Sequence, residues 1–160
     1  MLKCLLTIFV VGSVTITTIA DNVIDEFLCE IFNQIDPSCE GKNFYTMDAF
    51  LQALSSFPQF GSACGIDILP FFAHVIRKTE HLCYIEEIGG PSFPNNQYCD
   101  PINYPCNPDK SYYGRGPLQL TWNYNYIPVR ESIGFDGINS PKTVVMDPLL
   151  SRSRRPYGIG

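Results

Sequence analysis

The run YYGRGPLQLTWNYNY at residues 112–126, here called the central run, says more about the fold of this chain than any other stretch. It mixes aromatic rings with glycine and asparagine, and its apolar side chains follow neither a helical nor a strand period. We therefore predict irregular structure that lines a cleft. Aromatic planes stack on sugar rings and amides bind sugar hydroxyls, which suits a carbohydrate cleft; an aromatic core with capping amides fits the composition equally well.

Three amphipathic helices are predicted before the central run, because apolar side chains recur there at intervals of three and four. They cover residues 23–35, a stretch from Thr46 with Met47, Phe50, Leu51 and Leu54 facing inward, and roughly residues 67–87. Pro70 must lie in the first turn of the third helix, since an interior proline is costly. Glu86 and Glu87 end this helix, and the simplest interpretation of such a pair is a solvated acidic helix end.

The other segments carry weaker patterns. Residues 89–110 contain prolines at 91, 94, 101, 105 and 108 and have no apolar period, which indicates a long loop that is either functional or disordered. Two short helices are predicted after the central run, over residues 128–133 and 141–146, each with a proline near its start. No strand-like alternation is strong, so the predicted fold class is mainly α.

Length and composition limit the function classes. A chain of 160 residues has the size of one domain, and its 45% hydrophobic content is enough to build a core. The formal net charge is −5. Proteins that bind nucleic acid through its phosphates present a basic face, so we expect no nucleic-acid partner.

The first twenty residues have the features of a secretory signal. Lys3 precedes an apolar run from Leu5, and small residues at 18–20 offer a cleavage point before Asp21. A signal anchor that stays in the membrane is the alternative, but the apolar run is shorter than the about 20 residues that a span needs. We predict a signal peptide at residues 1–20, a secreted, extracellular protein, and no membrane association after cleavage.

Six cysteines remain after removal of the signal, at positions 29, 39, 64, 83, 99 and 106. An even number in an exported chain indicates disulfides, but spacing alone does not choose among the many possible pairings. Zinc is the competing interpretation. It is disfavoured because no Cys-x-x-Cys pair is present and His74 and His81 have no cysteine at finger spacing. We predict no metal and no cofactor.

Three runs resemble glycoside hydrolase family 19, the plant-type endochitinases, and within it the class IV kind. They are GKNFYTMDAF at residues 41–50, FFAHV through CYIEEI between residues 71 and 88, and the central run. The similarity extends from about Phe27 to Leu150. It implies a partial catalytic domain over residues 21–150, followed by a divergent basic tail over residues 151–160.

The resemblance implies a lysozyme-like, disulfide-bridged fold with a substrate cleft, in a protein that acts as a monomer. The implied reaction is the inverting hydrolysis of β-1,4 links between N-acetylglucosamine units, with chitin or its oligomers as the partner. Inversion requires one carboxylic acid that protonates the leaving oxygen. A second carboxylate, about 6.5–9.5 Å away, activates a water.

Matched position by position, the resemblance assigns Glu87 as the general base. Thr121 matches a hydroxyl position, usually a serine, that helps to hold the attacking water. Gln119, Tyr124 and Asn125 match positions that contact the sugar.

The resemblance also implies two disulfides, since Cys39–Cys83 and Cys99–Cys106 match the first two bridges of the family. Cys29 and Cys64 are not part of the family pattern. They either pair with each other or stay free.

The general acid is where this chain departs from the family. The family has His-Glu-Thr where the chain has Arg77-Lys78-Thr79, so Lys78 occupies the acid position. The ordinary pKa of a lysine ammonium is about 10.4 and that of a glutamic acid is about 4.3, so lysine is a far poorer proton donor. Glu80 is not expected to replace the acid, because two residues along a helix rotate a side chain by about 200°. We expect weak or absent activity.

The chain departs from the family again after Asp147-Pro148, where the family continues into helices that complete the fold. The fold is therefore expected to be incomplete at its C-terminal end. Three functions stay open. The first is a secreted chitinase for chitin catabolism or defence, with weak or absent activity. The second is a non-catalytic protein that binds N-acetylglucosamine oligomers, and the third is a truncated, non-functional product.

Overall fold

The structure of the chain is a computed structural model that describes residues 17–56 and 68–146. The helices in these ranges are α1 (Thr17–Asn33), α2 (Gly41–Phe44), α3 (Met47–Ser56), α4 (Ile68–Lys78), α5 (Asn123–Ile133) and α6 (Thr143–Met146), with a 3-10 turn at Gly90–Ser92. The described residues form no strand; two isolated bridges pair Arg115 with Glu86 and with Leu120. The prediction of a mainly α fold is confirmed.

Helix α1 begins at Thr17, before the predicted start at residue 23, and so includes the end of the predicted signal segment. The rest of that segment and the predicted tail at residues 151–160 lie outside the described residues. No helix in the two described ranges is long and apolar enough to cross a bilayer.

Helices α1, α3 and α4 pack around Phe72, which is buried on α4. Phe27 and Phe32 on α1 meet its ring edge-on at centroid distances of 6.4 and 5.8 Å, and Phe50 on α3 does so at 4.9 Å. Each such pair contributes about 0.5–1.5 kcal/mol beyond the burial of its area. Pro70 lies in the first turn of α4, as predicted. The apolar stripes of three helices therefore meet at one aromatic centre.

Helix α3 begins where the sequence predicts. The Oγ1 atom of Thr46 accepts a hydrogen bond of 3.1 Å from a backbone N–H three residues later, which caps the helix. Met47, Phe50 and Leu54 pack into the core as expected. Leu51 is 42% exposed, so its predicted inward position is wrong. The inward side of this ten-residue helix is only partly buried, and Leu51 lies at its solvent margin.

Helix α4 ends at Lys78, so its predicted continuation to residue 87 is wrong. The next turn is left-handed, with φ angles of 50°, 60° and 63° at residues 80–82. Thr79 is buried and holds this turn. Its Oγ1 donates to the carbonyl of Val75 at 2.6 Å and accepts from the N–H of Leu82 at 2.9 Å. Apolar spacing does not reveal this helix end, because the signal is a local side-chain hydrogen bond.

The left-handed turn is fastened to helix α2. Gly41 donates its N–H to the carbonyl of Cys83 at 2.9 Å, and a Cβ at this position would overlap the carbonyl oxygen of Leu82. Glycine is therefore required where the two segments touch. These contacts, together with the disulfide from Cys39 to Cys83, fix the point at which the chain leaves helices α1–α4.

The structure contains both disulfides that the resemblance implies, Cys39–Cys83 and Cys99–Cys106, with Cα–Cα distances of 4.7 and 6.0 Å. Cys29 is also disulfide-bonded, so the alternative of a free thiol at this position is wrong. Cys64, its candidate partner from the sequence, lies outside the described residues.

The C-terminal half has a second core, which is made largely of tyrosines. Tyr112 and Tyr126 are fully buried with ring centroids 5.6 Å apart, and Phe135 belongs to the same cluster. The Tyr112 hydroxyl accepts from the N–H of Asn107 and donates to the carbonyl of Ile138, both at 2.8 Å. Burial of this hydroxyl is tolerated because it has a partner for each role.

Helix α5 begins at Asn123, five residues before the predicted start at Pro128, so the last four residues of the central run are helical and not irregular. Asn123 is buried, and its Oδ1 accepts from the N–H of Asp100 at 2.9 Å. Its Nδ2 donates to the carbonyls of Tyr104 and Pro105 at 3.3 and 3.2 Å. These bonds join the helix start to the proline-rich loop. They help to offset the cost of the helical hydrogen bond that Pro128 cannot make.

Candidate active site

Glu87 lies between the isolated bridge residue Glu86 and a turn, hydrogen-bonded to Gly114, and not at a helix end as predicted. Its N–H donates to the carbonyl of Gly114 at 2.8 Å. Its carboxylate accepts two hydrogen bonds, from the N–H of Gly114 to Oε2 at 2.9 Å and from the hydroxyl of Tyr98 to Oε1 at 3.2 Å. Both oxygens of this half-buried carboxylate are therefore held in place.

Gly114 borders two of the predicted site residues as well as Glu87. A Cβ at Gly114 would lie 2.7 Å from Oε1 of Gln119 and 3.3 Å from Oγ1 of Thr121. Both distances are shorter than ordinary van der Waals contact, so glycine leaves the room that these side chains need. The backbone unit that binds the Glu87 carboxylate thus brings Gln119 and Thr121 next to it.

Gln119 and Thr121 are held by a turn that starts at Gly116. Gln119 donates its N–H at 3.0 Å and its Nε2 at 3.2 Å to the carbonyl of Gly116. The Thr121 hydroxyl donates its proton to the carbonyl of Gln119 at 2.8 Å. Because that proton is engaged, the Thr121 oxygen presents lone pairs, which can accept a hydrogen bond from a water.

Tyr124 and Asn125 follow in the first turn of α5. Asn125 is exposed, and its Nδ2 donates to the carbonyl of Thr121 at 2.7 Å. The Tyr124 ring contacts Trp122 at a centroid distance of 5.7 Å and Tyr104 at 5.3 Å. Gln119 and Asn125 are thus connected to Thr121, whereas Tyr124 is held by its neighbouring aromatic rings.

Four aromatic side chains form a row that starts at Glu87. Tyr98, which binds the carboxylate, meets Trp122 at a centroid distance of 5.3 Å, and Trp122 stacks on Tyr124. We call Tyr98, Trp122, Tyr124 and Tyr104 the aromatic row. Its Trp122 and Tyr104 are exposed, so the row is open to solvent away from the carboxylate. Tyr98 and Tyr104 belong to the loop without apolar period. Tyr98 is adjacent to Cys99 and Tyr104 lies two residues before Cys106, and this closeness to the paired cysteines is the signal that could have identified them.

The hydroxyl of Tyr98 is suited to remain a donor to Glu87. Burial raises the pKa of Tyr98 above its ordinary value, and the negative charge of Glu87 raises it further. A raised pKa keeps the phenol protonated through neutral and moderately alkaline pH. The hydrogen bond to the carboxylate therefore persists throughout that range.

Three residues around the same carboxylate have strained backbone, in addition to those of the turn at residues 80–82. Tyr98, Gln119 and Trp122 have left-handed φ angles of 58°, 52° and 72°. Such conformations cost on the order of 1–3 kcal/mol in residues other than glycine, and they cluster at functional sites. The surrounding hydrogen bonds hold three side chains in positions that relaxed loops would not give them.

A buried cation lies close to the site. Arg115 is 3% exposed, and its guanidinium carbon lies 3.6 Å from the centroid of the Tyr113 ring. Tyr113 in turn donates its hydroxyl to Oε2 of Glu86 at 3.1 Å. Tyr113 therefore connects the cation to Glu86. Nothing in the sequence identifies Arg115 as buried, because arginine is mostly exposed in proteins.

Lys78, at the position matched to the general acid, is the exposed last residue of α4. Glu80 is also exposed and lies in the left-handed turn. The expectation that a continuing helix directs Glu80 to the opposite face is therefore wrong in its premise. The carboxylate of Glu87 takes its hydrogen bonds from Tyr98 and Gly114 and from neither of these two residues.

The chemistry available here is that of a held carboxylate. Glu87 can accept a proton from a water, and the Thr121 oxygen can accept a hydrogen bond. Among residues 17–56 and 68–146, no three His, Cys, Asp or Glu side chains gather as a metal site would need.

Comparison with known proteins identifies the family. A family model described as "Chitinase class I" matches residues 18–154. Endochitinase EP3 of Arabidopsis thaliana is 50% identical over 141 residues, which cover 84% of this chain and 50% of the relative. The acidic endochitinase of Dioscorea japonica is 47% identical over 140 residues, which cover 84% and 55%. The chain spans about half the length of the curated relatives it matches.

Solved structures agree with the sequence match. The family GH19, class IV chitinase of Zea mays superposes with a TM-score of 0.69 at 45% identity, covering 80% of this chain and 65% of that one. Chitinase C of Streptomyces griseus HUT6037 gives a TM-score of 0.63 at 32% identity, covering 77% and 60%. The fold implied by the resemblance is confirmed. On the extent of the sequence match and the agreement of the folds, the chain belongs to glycoside hydrolase family 19.

Proposed function

We propose that this protein binds chitin oligomers and hydrolyses their β-1,4 links with inversion, at a rate that Lys78 reduces severely. Glu87 acts as the general base, and Thr121 holds the attacking water. The side chains that contact the sugar are Gln119, Tyr124 and Asn125. The observation that carries the proposal is the Glu87 carboxylate, held by the hydroxyl of Tyr98 and the N–H of Gly114.

The hydrogen bonds at Glu87 suit a general base. Each carboxylate oxygen accepts one of these bonds and has a further lone pair, so a water can approach while both donors stay in place. Transfer of a proton from that water to Glu87 makes the water oxygen nucleophilic. The oxygen then attacks the anomeric carbon on the face opposite the leaving oxygen.

The leaving oxygen lacks a proton donor of the usual kind. General acid–base help is worth about 10²–10⁴ in rate, and an ammonium supplies little of it. A positive charge at position 78 would also oppose a transition state that is itself cationic in character. Both effects support weak or absent hydrolysis.

The variant Lys78→Glu tests this assignment on purified mature protein with soluble chitin oligomers. We expect the hydrolysis rate to rise by about 10² or more, because the variant regains a carboxylic acid. The matched control is Glu87→Gln in the Lys78→Glu background, which should abolish the gain. A wild-type rate similar to that of an ordinary chitinase would contradict the effect assigned to Lys78. An unchanged rate in the variant would place the defect elsewhere.

Glu80 needs its own test, because the helical argument against it does not hold. If the chain has no substitute acid, Glu80→Gln leaves the residual rate unchanged. A loss of about 10² in rate would instead identify Glu80 as the acid.

Binding without catalysis is the second candidate, and the exposed part of the aromatic row favours it. Trp122 is 37% exposed and Tyr104 is 45% exposed, so their rings are available to stack on sugar faces. Calorimetric titration with a chitin oligomer should give saturable heat. Trp122→Ala should weaken binding about tenfold, whereas the control Tyr84→Ala, also exposed but outside the row, should not. A titration without saturable heat would support the third hypothesis, a truncated product without function.

Export is part of the proposal, since a chitin-binding protein acts outside the cell. Cleavage of the signal at residues 1–20 predicts that the mature chain begins at Asp21. Expression in a eukaryotic host followed by N-terminal sequencing of the medium fraction checks this. A cell-retained chain with Met1 still in place would contradict it.

A further inference from the structure

We infer that Arg115 is a positioning residue for Glu87 and acts through the peptide group that joins Tyr113 to Gly114. The inference rests on the base role proposed for Glu87. Arg115 has no part in that proposal. Its side chain donates to the Ser111 carbonyl and to groups of the tyrosine core, and not to Glu87.

One peptide group faces Arg115 with its oxygen and Glu87 with its nitrogen. The oxygen, that of Tyr113, accepts from Nη1 of Arg115 at 3.4 Å and from the hydroxyl of Tyr126 at 3.2 Å. The nitrogen, that of Gly114, donates to Oε2 of Glu87 at 2.9 Å. The same Nη1 also donates to the hydroxyl of Tyr126 at 3.0 Å, so the cation and the hydroxyl hold the oxygen together.

The properties of a peptide group make this arrangement effective. Because the C–N bond has partial double-bond character, a fixed carbonyl also fixes the direction of the N–H in the same plane. Hydrogen bonds in series polarise one another, and a cation at the carbonyl increases that effect. Arg115 thus directs and strengthens the donor that holds Glu87.

The cost of burying Arg115 supports a role beyond packing. The side chain is 3% exposed, its Nε has no hydrogen-bond partner among the described residues, and its charge rests on the face of Tyr113. A buried cation with an unpaired N–H is costly, and apolar side chains often replace buried charges without loss of stability. Glu86, bound to the hydroxyl of Tyr113, offsets part of this cost.

The test uses nuclear magnetic resonance of the full mature protein labelled with ¹⁵N, with the amide of Gly114 as the reporter. Arg115→Met removes the cation. We expect the Gly114 amide proton to move upfield and its hydrogen exchange to accelerate about five- to tenfold, as loss of one modest hydrogen bond implies. Tyr126→Phe should move it in the same direction by less. Arg115→Lys, which keeps the charge, should retain part of the wild-type shift.

The matched control is Tyr112→Phe. It removes a hydroxyl from the same core, but that hydroxyl contacts Asn107 and Ile138 and not the Tyr113 carbonyl. A purely structural role for Arg115 predicts equal responses of the Gly114 amide in Tyr112→Phe and Tyr126→Phe. The positioning role predicts a response in Tyr126→Phe alone.

The outcomes are distinct. A folded Arg115→Met variant with a wild-type Gly114 amide overturns the inference, and if that variant does not fold, Tyr126→Phe decides in the same way. In a Glu87→Gln background the Arg115→Met response should shrink, because the two residues act on one peptide group. The proposed function is judged separately: a wild-type protein that binds no chitin oligomer contradicts the function and leaves the Gly114 result as measured.

Discussion

The two halves of the described chain hold their residues by different means. Helices α1, α3 and α4 bring apolar stripes together around Phe72, whereas the half after Cys83 consists mainly of loops packed on tyrosines and Arg115. The first arrangement depends on area and shape. The second depends on a specific partner for each polar group. The candidate site lies in the second half, because a carboxylate can be oriented by directional hydrogen bonds and not by apolar packing.

The largest effect expected from this difference is at Phe72. Phe72→Ala should lower the free energy of unfolding by about 3–5 kcal/mol, because it leaves a cavity at the meeting point of three helices. Urea unfolding followed by circular dichroism measures this. Leu51→Ala, at the exposed margin of α3, is the control and should change it by less than about 0.5 kcal/mol. Equal losses in both variants would mean that Phe72 is not the centre of the helical half.

Removal of each disulfide in turn allows a direct comparison of the two halves. Cys39–Cys83 joins residues 44 apart in sequence, and serine at both positions should lower stability by about 4 kcal/mol in the chain-entropy account. Cys99–Cys106 joins residues 7 apart, for which the same account gives about 2.5 kcal/mol. Unfolding of both double-serine variants in the same buffer checks the order. A larger loss for the Cys99 and Cys106 pair would show that the loop half contributes more to global stability than its local bridge implies.

The helical half could largely be predicted from the sequence. Apolar spacing places the start of α3 at Thr46, and the cost of an interior proline places Pro70 in the first turn of α4; both follow from neighbours within one helical turn. The same reasoning fails at the end of α4. There the chain turns left-handed because the Thr79 hydroxyl binds two backbone groups, and periodicity carries no trace of this.

The loop half could not be predicted from pattern, because its contacts join residues far apart in sequence. Asn123 starts a helix by binding residues about 20 positions earlier, and the carboxylate of Glu87 binds Gly114, 27 positions later. The resemblance supplied Glu87, Gln119 and Thr121, which the structure brings together at Gly114. It did not supply Tyr98, to which only the neighbouring Cys99 points in the sequence, or Arg115, whose importance becomes visible only from its partners.

Asn123 gives a smaller effect that should stay local. Asn123→Ala removes a buried side chain that donates to two carbonyls of the proline-rich loop and accepts from the N–H of Asp100, which should cost about 1–3 kcal/mol. Hydrogen exchange should accelerate at residues 99–106 more than in α4. Asn125→Ala, two residues later and exposed, is the stability control. Uniform acceleration in both halves would contradict the expectation that the loss of Asn123 acts locally.

The smallest expected effect is a loss of folding stability at alkaline pH, which depends on the buried tyrosines of each core. Burial raises the pKa of Tyr126 to about 12, and it raises the pKa values of Tyr112 and Tyr113 as well. In the unfolded chain the pKa of tyrosine is about 10. Between this pKa and the higher pKa of the folded chain, the folded state therefore binds more protons than the unfolded state. The stability that these tyrosines contribute is fully present below about pH 10, and it falls as the pH rises towards their pKa in the folded state.

Urea unfolding in this alkaline window should show a decline to which Tyr126 contributes at most about 1.4 kcal/mol per pH unit. Tyr126→Phe should remove that share, because phenylalanine has no proton to lose. Tyr45 in the helical half is buried and also has a raised pKa, so Tyr45→Phe should remove a share of its own. Four of the five described tyrosines with a raised pKa, Tyr98 included, belong to the half after Cys83, which should therefore lose its hydrogen-exchange protection first. An identical decline in wild type and both variants would mean that the cores differ in shape and not in their response to charge.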